Sequence, residues 1–269
     1  MDSEFAIRIG FFGGIFTLIA IWELLAPRRD LTIPKTARWM TNFGIILINP
    51  LILHLVFPIL AMDMAIKAQQ NGWGVLNNYN ISYWPSLVVG VIALDFVIYF
   101  QHIMFHAVPV LWRLHMIHHT DMDYDVTTGL RFHPIEILIS MGIKLSAVII
   151  IGPPVISVLI FEVVLNATSM FNHGNIRLPI ETDRFLRFFV VTPDMHRVHH
   201  SVIPKETNAN FGFSFSWWDY LFGTYRNQPV MGHENMRIGL TEFRDVKKLS
   251  LPWLMILPFI RKTGKSVSQ

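Results

Sequence analysis

The sequence predicts an all-α integral membrane protein with four to five transmembrane helices, including a helical hairpin, and a His-rich helical domain on the cytoplasmic side. The first supporting observation is composition: 52% of the 269 residues are hydrophobic and 15% are charged, and the mean hydropathy is positive. Soluble domains rarely have this composition. The second is that eight of the 12 histidines fall in three short boxes. The third is a one-sided distribution of positive charge.

Apolar runs predict the first three transmembrane helices. These runs are residues 5–26, 43–62 and 84–101. Each is close in length to the ~20 residues that a transmembrane helix needs. Prolines inside the second run are expected to kink it. Residues 63–83 are more polar and contain Asn-Gly-Trp-Gly and Asn-Asn, which indicate a loop.

Two shorter apolar runs predict the hairpin. Residues 135–151 and 155–171 flank the helix-breaking sequence Gly-Pro-Pro at 152–154. Each run is about 26 Å long at ~1.5 Å per residue, which is at the short end for a transmembrane helix. We therefore expect a hairpin that crosses or nearly crosses the bilayer.

The boxes and the spans divide the chain into five segments that form one unit. They are transmembrane helices 1–3 (residues 1–101), a cytoplasmic helix and loop with the first two boxes (102–134), the transmembrane hairpin (135–172), a cytoplasmic cap with the third box (173–250) and an interfacial tail (251–269). The first span is expected to be retained because it lacks a short apolar core followed by a small-residue cleavage site.

Lysine and arginine predict the orientation in the membrane. Thirteen of them lie beyond residue 173 and four follow the first span, whereas only Arg8 and Lys67 fall on the opposite side. Cytoplasmic segments carry the excess of positive charge in membrane proteins. We therefore expect the N-terminus outside and all three boxes on the cytoplasmic side.

The three boxes carry the functional prediction. They are His102-x3-His106, His115-x2-His118-His119 and His196-x2-His199-His200. Residues three and four apart share one face of a helix, so the imidazoles of each box project together, as metal ligands must. Thr192, just before the third box, is a suitable N-cap, and Pro193 suits the first helical position.

Eight histidines predict two metal ions rather than one. Neutral imidazole binds iron, zinc, copper and nickel, and eight ligands exceed the needs of one ion while leaving open positions on two. The chain has no cysteine, which excludes disulfides, iron–sulfur clusters, thiolate nucleophiles and Cys-ligated zinc. A two-metal site at the ends of membrane helices faces hydrophobic substrates, which favours an oxygen-activating lipid oxidase over a hydrolase.

Two other classes remain as alternatives: a histidine-rich membrane metal-binding or transport protein, and a zinc-dependent membrane hydrolase. Transport ligands are expected near the bilayer midplane, whereas the boxes lie at the ends of the spans. A zinc hydrolase needs fewer ligands and a general base, as in H-E-x-x-H, which the sequence lacks. The net charge of +3 is modest and gives no indication of nucleic-acid binding.

The three boxes, in this order, resemble those of the fatty acid hydroxylase/sterol desaturase superfamily. Arg-Phe-His-Pro-Ile-Glu at 131–136, Asn-His-Gly-Asn at 172–175 and Asn-Ala-Asn-Phe-Gly at 208–212 also match it. Trp-Trp-Asp-Tyr-Leu-Phe-Gly-Thr at 217–224 is typical of the bacterial members. The resemblance covers about residues 90–226, which would form the hydroxylase/desaturase domain of the catalytic unit.

This resemblance implies a membrane enzyme with a histidine-ligated di-iron centre that uses O₂. Its electrons would come from a separate reductase or ferredoxin-like protein, and its substrate would be a fatty acyl, sterol, carotenoid or ether lipid from the bilayer, hydroxylated or desaturated. It also implies His173 as a ninth ligand or, alternatively, as a hydrogen-bond partner of a ligand; some relatives have a further histidine at the position of Ser169. A bacterial member would lie in the inner membrane with a cytoplasmic active site.

Four residues within the spans are singled out by their positions. Asp95 and Tyr99 share the helix face of the first box, so we expect them near the site. Lys144 and Glu162 lie at similar distances on either side of the hairpin turn, which predicts a structural ion pair inside the membrane.

Other polar residues are candidates for orienting the ligands through hydrogen bonds. They are His133, Asp121, Asp194 and Asp219, chosen because ligating histidines usually donate their second ring nitrogen to a carboxylate or carbonyl. His133 precedes a proline, so it is expected at a helix boundary, where it would cap the helix or contact a ligand rather than bind the metal.

Overall fold

The computed structural model describes residues 2–79 and 81–260, and these form helices, turns and loops. The α-helices are α1 (Asp2–Leu25), α2 (Lys35–Val56), α3 (Ala61–Asn71), α4 (Val75–Asn78), α5 (Tyr83–Ala107), α6 (Pro109–His119), α7 (Pro134–Ile151), α8 (Val155–Asn172), α9 (Ile180–Leu186), α10 (Pro193–His199), α11 (Pro204–Thr207), α12 (Trp217–Leu221), α13 (Gly232–Asn235) and α14 (Leu251–Ile256). Single 3₁₀ turns lie at Thr128–Leu130, Val246–Leu249 and Leu257–Phe259. Strand pairing in the described residues is limited to isolated bridges, which confirms the all-α prediction.

Five segments of the described chain are long and apolar enough to cross a membrane: Ala6–Leu25, Lys35–Asn78, Tyr83–Ala107, Pro134–Ile151 and Val155–Asn172. Successive segments run in opposite directions. The end of α1, the start of α2, the end of α5, the start of α7 and the end of α8 therefore meet at one end of the bundle. We call this the histidine end, because all three boxes lie there.

The second span differs from the prediction in where it begins and how far it runs. Helix α2 begins at Lys35 and continues through Pro50, and the break comes at Pro58. The residues expected to form a polar loop are instead largely helical, as α3 and α4. The reason is tertiary: Ala61, Ala65 and Ala68 are fully buried on one face of α3, which packs against α7 and α8.

The loop after the second box is held by buried charges. Arg38 on α2 donates to Asp121 at 2.8 Å and also contacts Asp125. Burial alone would raise the pKa of Asp121, but the adjacent guanidinium of Arg38 lowers it to about 2. Asp121 therefore anchors α2, and within residues 2–79 and 81–260 it makes no hydrogen bond to a box histidine, contrary to its expected role.

A cluster of three charges links α1, α7 and α8 inside the membrane-spanning region. Glu162 lies 2.8 Å from Lys144 Nζ and 2.6 Å from Arg8 Nη2. The ion pair expected from the sequence is thus joined by a second cation. Among the described residues, the carboxylate of Glu162 is shared by two cations.

This shared carboxylate predicts that two substitutions in the cluster differ in their effect on the free energy of unfolding. Glu162→Gln removes the carboxylate that both cations contact, and we expect it to lower the free energy of unfolding by about 3–5 kcal/mol. Lys144→Met leaves Arg8 and Glu162 as a neutral pair and should cost clearly less. Thermal unfolding of both variants in one detergent measures the difference. If Lys144→Met loses as much stability as Glu162→Gln or more, the role of Glu162 as the shared counterion is contradicted.

The C-terminal segment packs on the histidine end. Leu254 and Leu257 are fully buried against Ile45 of α2 and Trp112 of α6, whereas Phe259 is 64% exposed. The location of this segment in the membrane interface stays a prediction, and residues 261–269 of the expected tail lie outside the described residues.

Candidate metal centre

The nine predicted histidine ligands converge in two buried clusters. The first cluster is His102, His106, His115, His119 and His199; the second is His118, His173, His196 and His200. Within each cluster, one ring nitrogen from every histidine lies within 4.8 Å of the others. All nine side chains are at most 5% exposed.

Helical geometry divides each H-x-x-H-H box between the two clusters. In the second box, His115 and His119 are four residues apart and join the first cluster, while His118 points into the second. The third box does the reverse, because His196 and His200 join the second cluster and His199 the first. Neighbouring helical positions point about 100° apart, since a turn takes ~3.6 residues. The second and third boxes therefore each contribute histidines to both clusters.

Unpartnered ring nitrogens show that these clusters suit metal ions. Every histidine of the first cluster buries an Nε2 atom that has no hydrogen-bond partner. In the second cluster, both ring nitrogens of His196 and His200 are likewise buried without a partner, and His118 Nε2 faces His173 Nε2 at 3.1 Å. Buried polar atoms are normally satisfied, and a metal ion at each cluster would satisfy one nitrogen of each ring.

The opposite nitrogens of several rings are held by backbone carbonyls. His102, His199 and His173 each donate from Nδ1 to a carbonyl oxygen at 2.7–2.8 Å; the acceptors are Phe211, Ala209 and Ser169. A carbonyl can only accept, so Nδ1 carries the proton and Nε2 presents a lone pair. This tautomer is the one a metal ion at the cluster requires.

Glu136 is the carboxylate that holds a cluster histidine. Its Oε1 accepts a 2.6 Å hydrogen bond from His115 Nδ1, and both side chains are buried. Such a contact fixes the ring and strengthens it as a ligand. Sequence reasoning did not single out Glu136, because the contact depends on how α6 and α7 pack. The available signal was a carboxylate in the first turn of the helix after a histidine box.

Burial favours the neutral form of six of the clustered histidines, as the lowered pKa of each shows. It lowers the pKa of His173 and His199 to about 3. Burial and neighbouring imidazoles also lower the pKa of four others well below the usual value: His118, His119, His196 and His200. Neutral imidazole is the form that binds metals.

Asp219 acts on the site through the backbone. Its carboxylate accepts from the amides of Phe211 and Gly212, each at 2.8 Å, and from the Thr224 hydroxyl at 2.6 Å. Burial raises the pKa of Asp219 to about 6, although these hydrogen bonds oppose the rise. Tyr99 joins the network through a 2.8 Å hydrogen bond to Thr224. Together they fix the segment whose Phe211 carbonyl holds His102.

Asp95 lies close to the site but fastens a different element. It accepts from Trp218 Nε1 at 2.8 Å and from the Phe215 amide at 3.4 Å. These contacts tie the aromatic segment before and within α12 to α5. Among the described residues, neither Asp95 nor Tyr99 contacts a cluster histidine directly; each instead anchors a segment beside the site.

His133 and Asp194 also contact other groups. His133 Nδ1 accepts from the Ile135 amide and so caps α7. Asp194 binds Arg28 at 3.1 Å and contacts Arg197, which ties the third box to the end of α1. In the described part of the chain, neither residue makes a hydrogen bond or ion pair with a cluster histidine.

His173 is positioned by a close approach of two backbones. Its Nδ1 donates to the Ser169 carbonyl, and Ser169 Oγ donates to the Gly129 carbonyl at 2.8 Å. A Cβ at Gly129 would lie 2.6 Å from Ser169 O and 2.9 Å from His173 Nδ1. Only glycine fits there without moving the ring.

Gly129→Ala is therefore expected to displace His173 and to lower the free energy of unfolding by about 1–3 kcal/mol. Gly142→Ala is the matched control, because a Cβ there meets nothing within 4 Å and alanine favours the helix. Thermal unfolding and metal content check both variants. If Gly129→Ala behaves like the control, the close packing around His173 is not required.

Comparisons with known proteins agree with this site. A sequence model of the fatty acid hydroxylase family matches residues 87–224, just over half of the chain and all nine histidines. No solved structure matches.

Three curated relatives are similar over part of the chain. An ornithine lipid hydroxylase of Rhizobium tropici is 28% identical over 71% of this chain. The alkylglycerol monooxygenase of Homo sapiens is 29% identical over 59% of it, and a very-long-chain aldehyde decarbonylase of Oryza sativa subsp. japonica is 26% identical over 59%. The matches span 57%, 33% and 61% of these relatives' own lengths. With its three histidine boxes inside the matched region, the chain belongs to the fatty acid hydroxylase family.

Proposed function

We propose that this oxidoreductase hydroxylates or desaturates a membrane lipid with O₂, using two iron ions held by the nine clustered histidines. The observation that carries the proposal is the set of buried, unpartnered imidazole nitrogens in two adjacent clusters. Histidine-rich sites without thiolates suit iron among other metals, and the family and its relatives point to lipid oxidation. Electrons would come from a separate donor protein.

Bound iron would supply the reduction of O₂ and the removal of hydrogen from an unactivated C–H bond. The chain's own residues have three tasks. The clustered histidines hold the metal ions, Glu136 and the carbonyls hold the rings, and the surrounding aromatic side chains exclude water. Trp112 packs on His106 and His119, and Tyr124 packs on His173 and His200; both aromatic rings are buried.

Lipid extracts test the proposal directly. Cells with the gene should contain a lipid that is absent without it, detected by mass spectrometry. The gain of one oxygen atom indicates hydroxylation, and the loss of two hydrogen atoms indicates desaturation. Identical lipid profiles under expression with a competent electron donor would contradict the proposed function.

We also propose that the histidine end faces the cytoplasm of a bacterial cell and that α1 begins outside. The absence of cysteine allows a clean test, since one cysteine can be introduced at a time. Lys67 and Lys205 are both exposed and lie on α3 and α11. A membrane-impermeant maleimide should label Lys67→Cys in intact spheroplasts, and Lys205→Cys only after lysis. The reverse pattern would contradict the orientation.

A further inference from the structure

A cavity of about 310 Å³ lies among α1, α2, α5, α7 and α8, beside the histidine clusters. Its size is at the low end of the ~300–1,000 Å³ typical of small-molecule sites. Phe132 lines the cavity and stacks on His118 with 4.6 Å between ring centroids. Much of the remaining wall is apolar, with side chains such as Leu53, Ile98 and Met141.

The wall next to the clusters is polar, and it presents acceptors. Asn49 Nδ2 donates to the Phe132 carbonyl at 3.1 Å. Because a carbonyl can only accept, this contact fixes the orientation of the amide and leaves Asn49 Oδ1 available as an acceptor. That oxygen is buried and has no partner. Glu136 Oε1 accepts the hydrogen bond from His115, and Glu136 Oε2 is also buried without a partner.

Gln101 adds a third unpartnered polar atom on the same wall. Its Nε2 lies 3.0 Å from Ser140 Oγ, and its Oε1 is buried without a partner. Ser140 lies one helical turn after Glu136 on α7, so the two share a face. All three acceptors therefore lie at the end of the cavity that is nearest the histidine clusters. Buried acceptors are normally satisfied, and an occupant of the cavity that carries hydrogen-bond donors would satisfy these.

We propose that this cavity binds the polar end of an amphipathic lipid, whose hydroxyl or amine hydrogens bond to Asn49, Gln101 and Glu136. The proposal rests on the proposed function, and it narrows the substrate class. The oxidised carbon then lies near the donor-bearing end of the lipid, and the tail extends along the apolar wall. A mid-chain methylene would instead leave these buried acceptors unsatisfied, which costs binding free energy.

The far end of the cavity is consistent with this orientation. Lys144 lines it eight residues after Glu136, about 12 Å further along α7 at ~1.5 Å per residue. Its ammonium is already held by Glu162 at 2.8 Å. The unpartnered acceptors therefore lie at the end of the cavity beside the histidine clusters, and the polar group of the lipid would bind there.

Native mass spectrometry of the purified protein tests the proposal. The probes are 1-O-dodecylglycerol and its dimethyl ether, offered in equal amounts; the ether keeps the chain and the oxygens but lacks the donors. We expect a preference of about tenfold or more for the free glycerol, since one lost hydrogen bond to a buried acceptor has about that effect. Equal binding would mean that water satisfies the acceptors, and would overturn the proposal.

Two variants assign the preference to these residues. Gln101→Leu and, separately, Asn49→Leu should each reduce the preference several-fold, while Ile98→Leu, on the apolar wall, should leave it unchanged. An unchanged preference in both acceptor variants would also overturn the proposal.

Product mapping separates this inference from the function itself. An oxidised lipid with its new oxygen or double bond in mid-chain would contradict the inference and leave the function standing. A retained glycerol preference without any oxidised lipid would contradict the function and leave the binding inference standing.

Discussion

His199→Ala is expected to lower lipid oxidation by more than ~100-fold, because loss of a residue that only supports a ligand already costs about 10–100-fold. His199 comes from the cap segment but joins the first cluster, where it meets His102, His106 and His119. Its removal takes one histidine from the cluster that combines residues of all three boxes. The measurement is turnover of a lipid substrate by purified protein supplied with an electron donor.

The matched control is His54→Ala. His54 is an exposed histidine in α2, and among the described residues it belongs to neither cluster. Both variants should insert into the membrane and be recovered in similar amounts. Turnover by His199→Ala within a few-fold of the His54→Ala rate would contradict the assignment of His199 as a ligand.

Glu136→Leu is expected to reduce metal affinity and turnover by about 10–100-fold, the range found for carboxylates that hold a ligating histidine. The substitution leaves His115 Nδ1 buried with no acceptor, which also destabilises the fold by about 1–3 kcal/mol. Glu136→Gln should recover much of the loss, because its amide oxygen can still accept from Nδ1.

The comparison of the two variants separates charge from hydrogen bonding. If Glu136→Gln is as impaired as Glu136→Leu, the carboxylate charge is what the site requires. Metal content and turnover both at the wild-type level in Glu136→Leu would contradict the role given to Glu136. These two readouts are measured on the same preparation, so a folding defect is visible as a loss of recovered protein.

Local patterns in the sequence predicted which histidines converge, because helical spacing brings histidines four residues apart, such as His115 and His119, to one face. Thr192 caps α10 through a hydrogen bond from the Met195 amide, as the sequence indicates. The assignment of His115 and His118 to different clusters was not predictable in the same way, since it depends on which histidines of the other helices each ring meets. Tertiary contact, rather than local spacing, decides which cluster each ring enters.

The groups that orient the rings were harder to predict than the rings themselves. Backbone carbonyls of Phe211 and Ala209 hold two ligands, and any residue type has a carbonyl, so composition carries no signal for them. The carboxylates favoured from the sequence were those close to a box along the chain. The one that contacts a ligand, Glu136, is 21 residues from His115.

Metal content tests the central claim most directly. Protein purified without oxygen and loaded with ferrous iron should hold two iron ions per chain, one for each cluster. His106→Ala removes a ligand of the first cluster only, and His200→Ala one of the second only; each should lower the content towards one ion. One ion or none in the unaltered protein, or no change in either variant, would contradict a centre built from two histidine clusters.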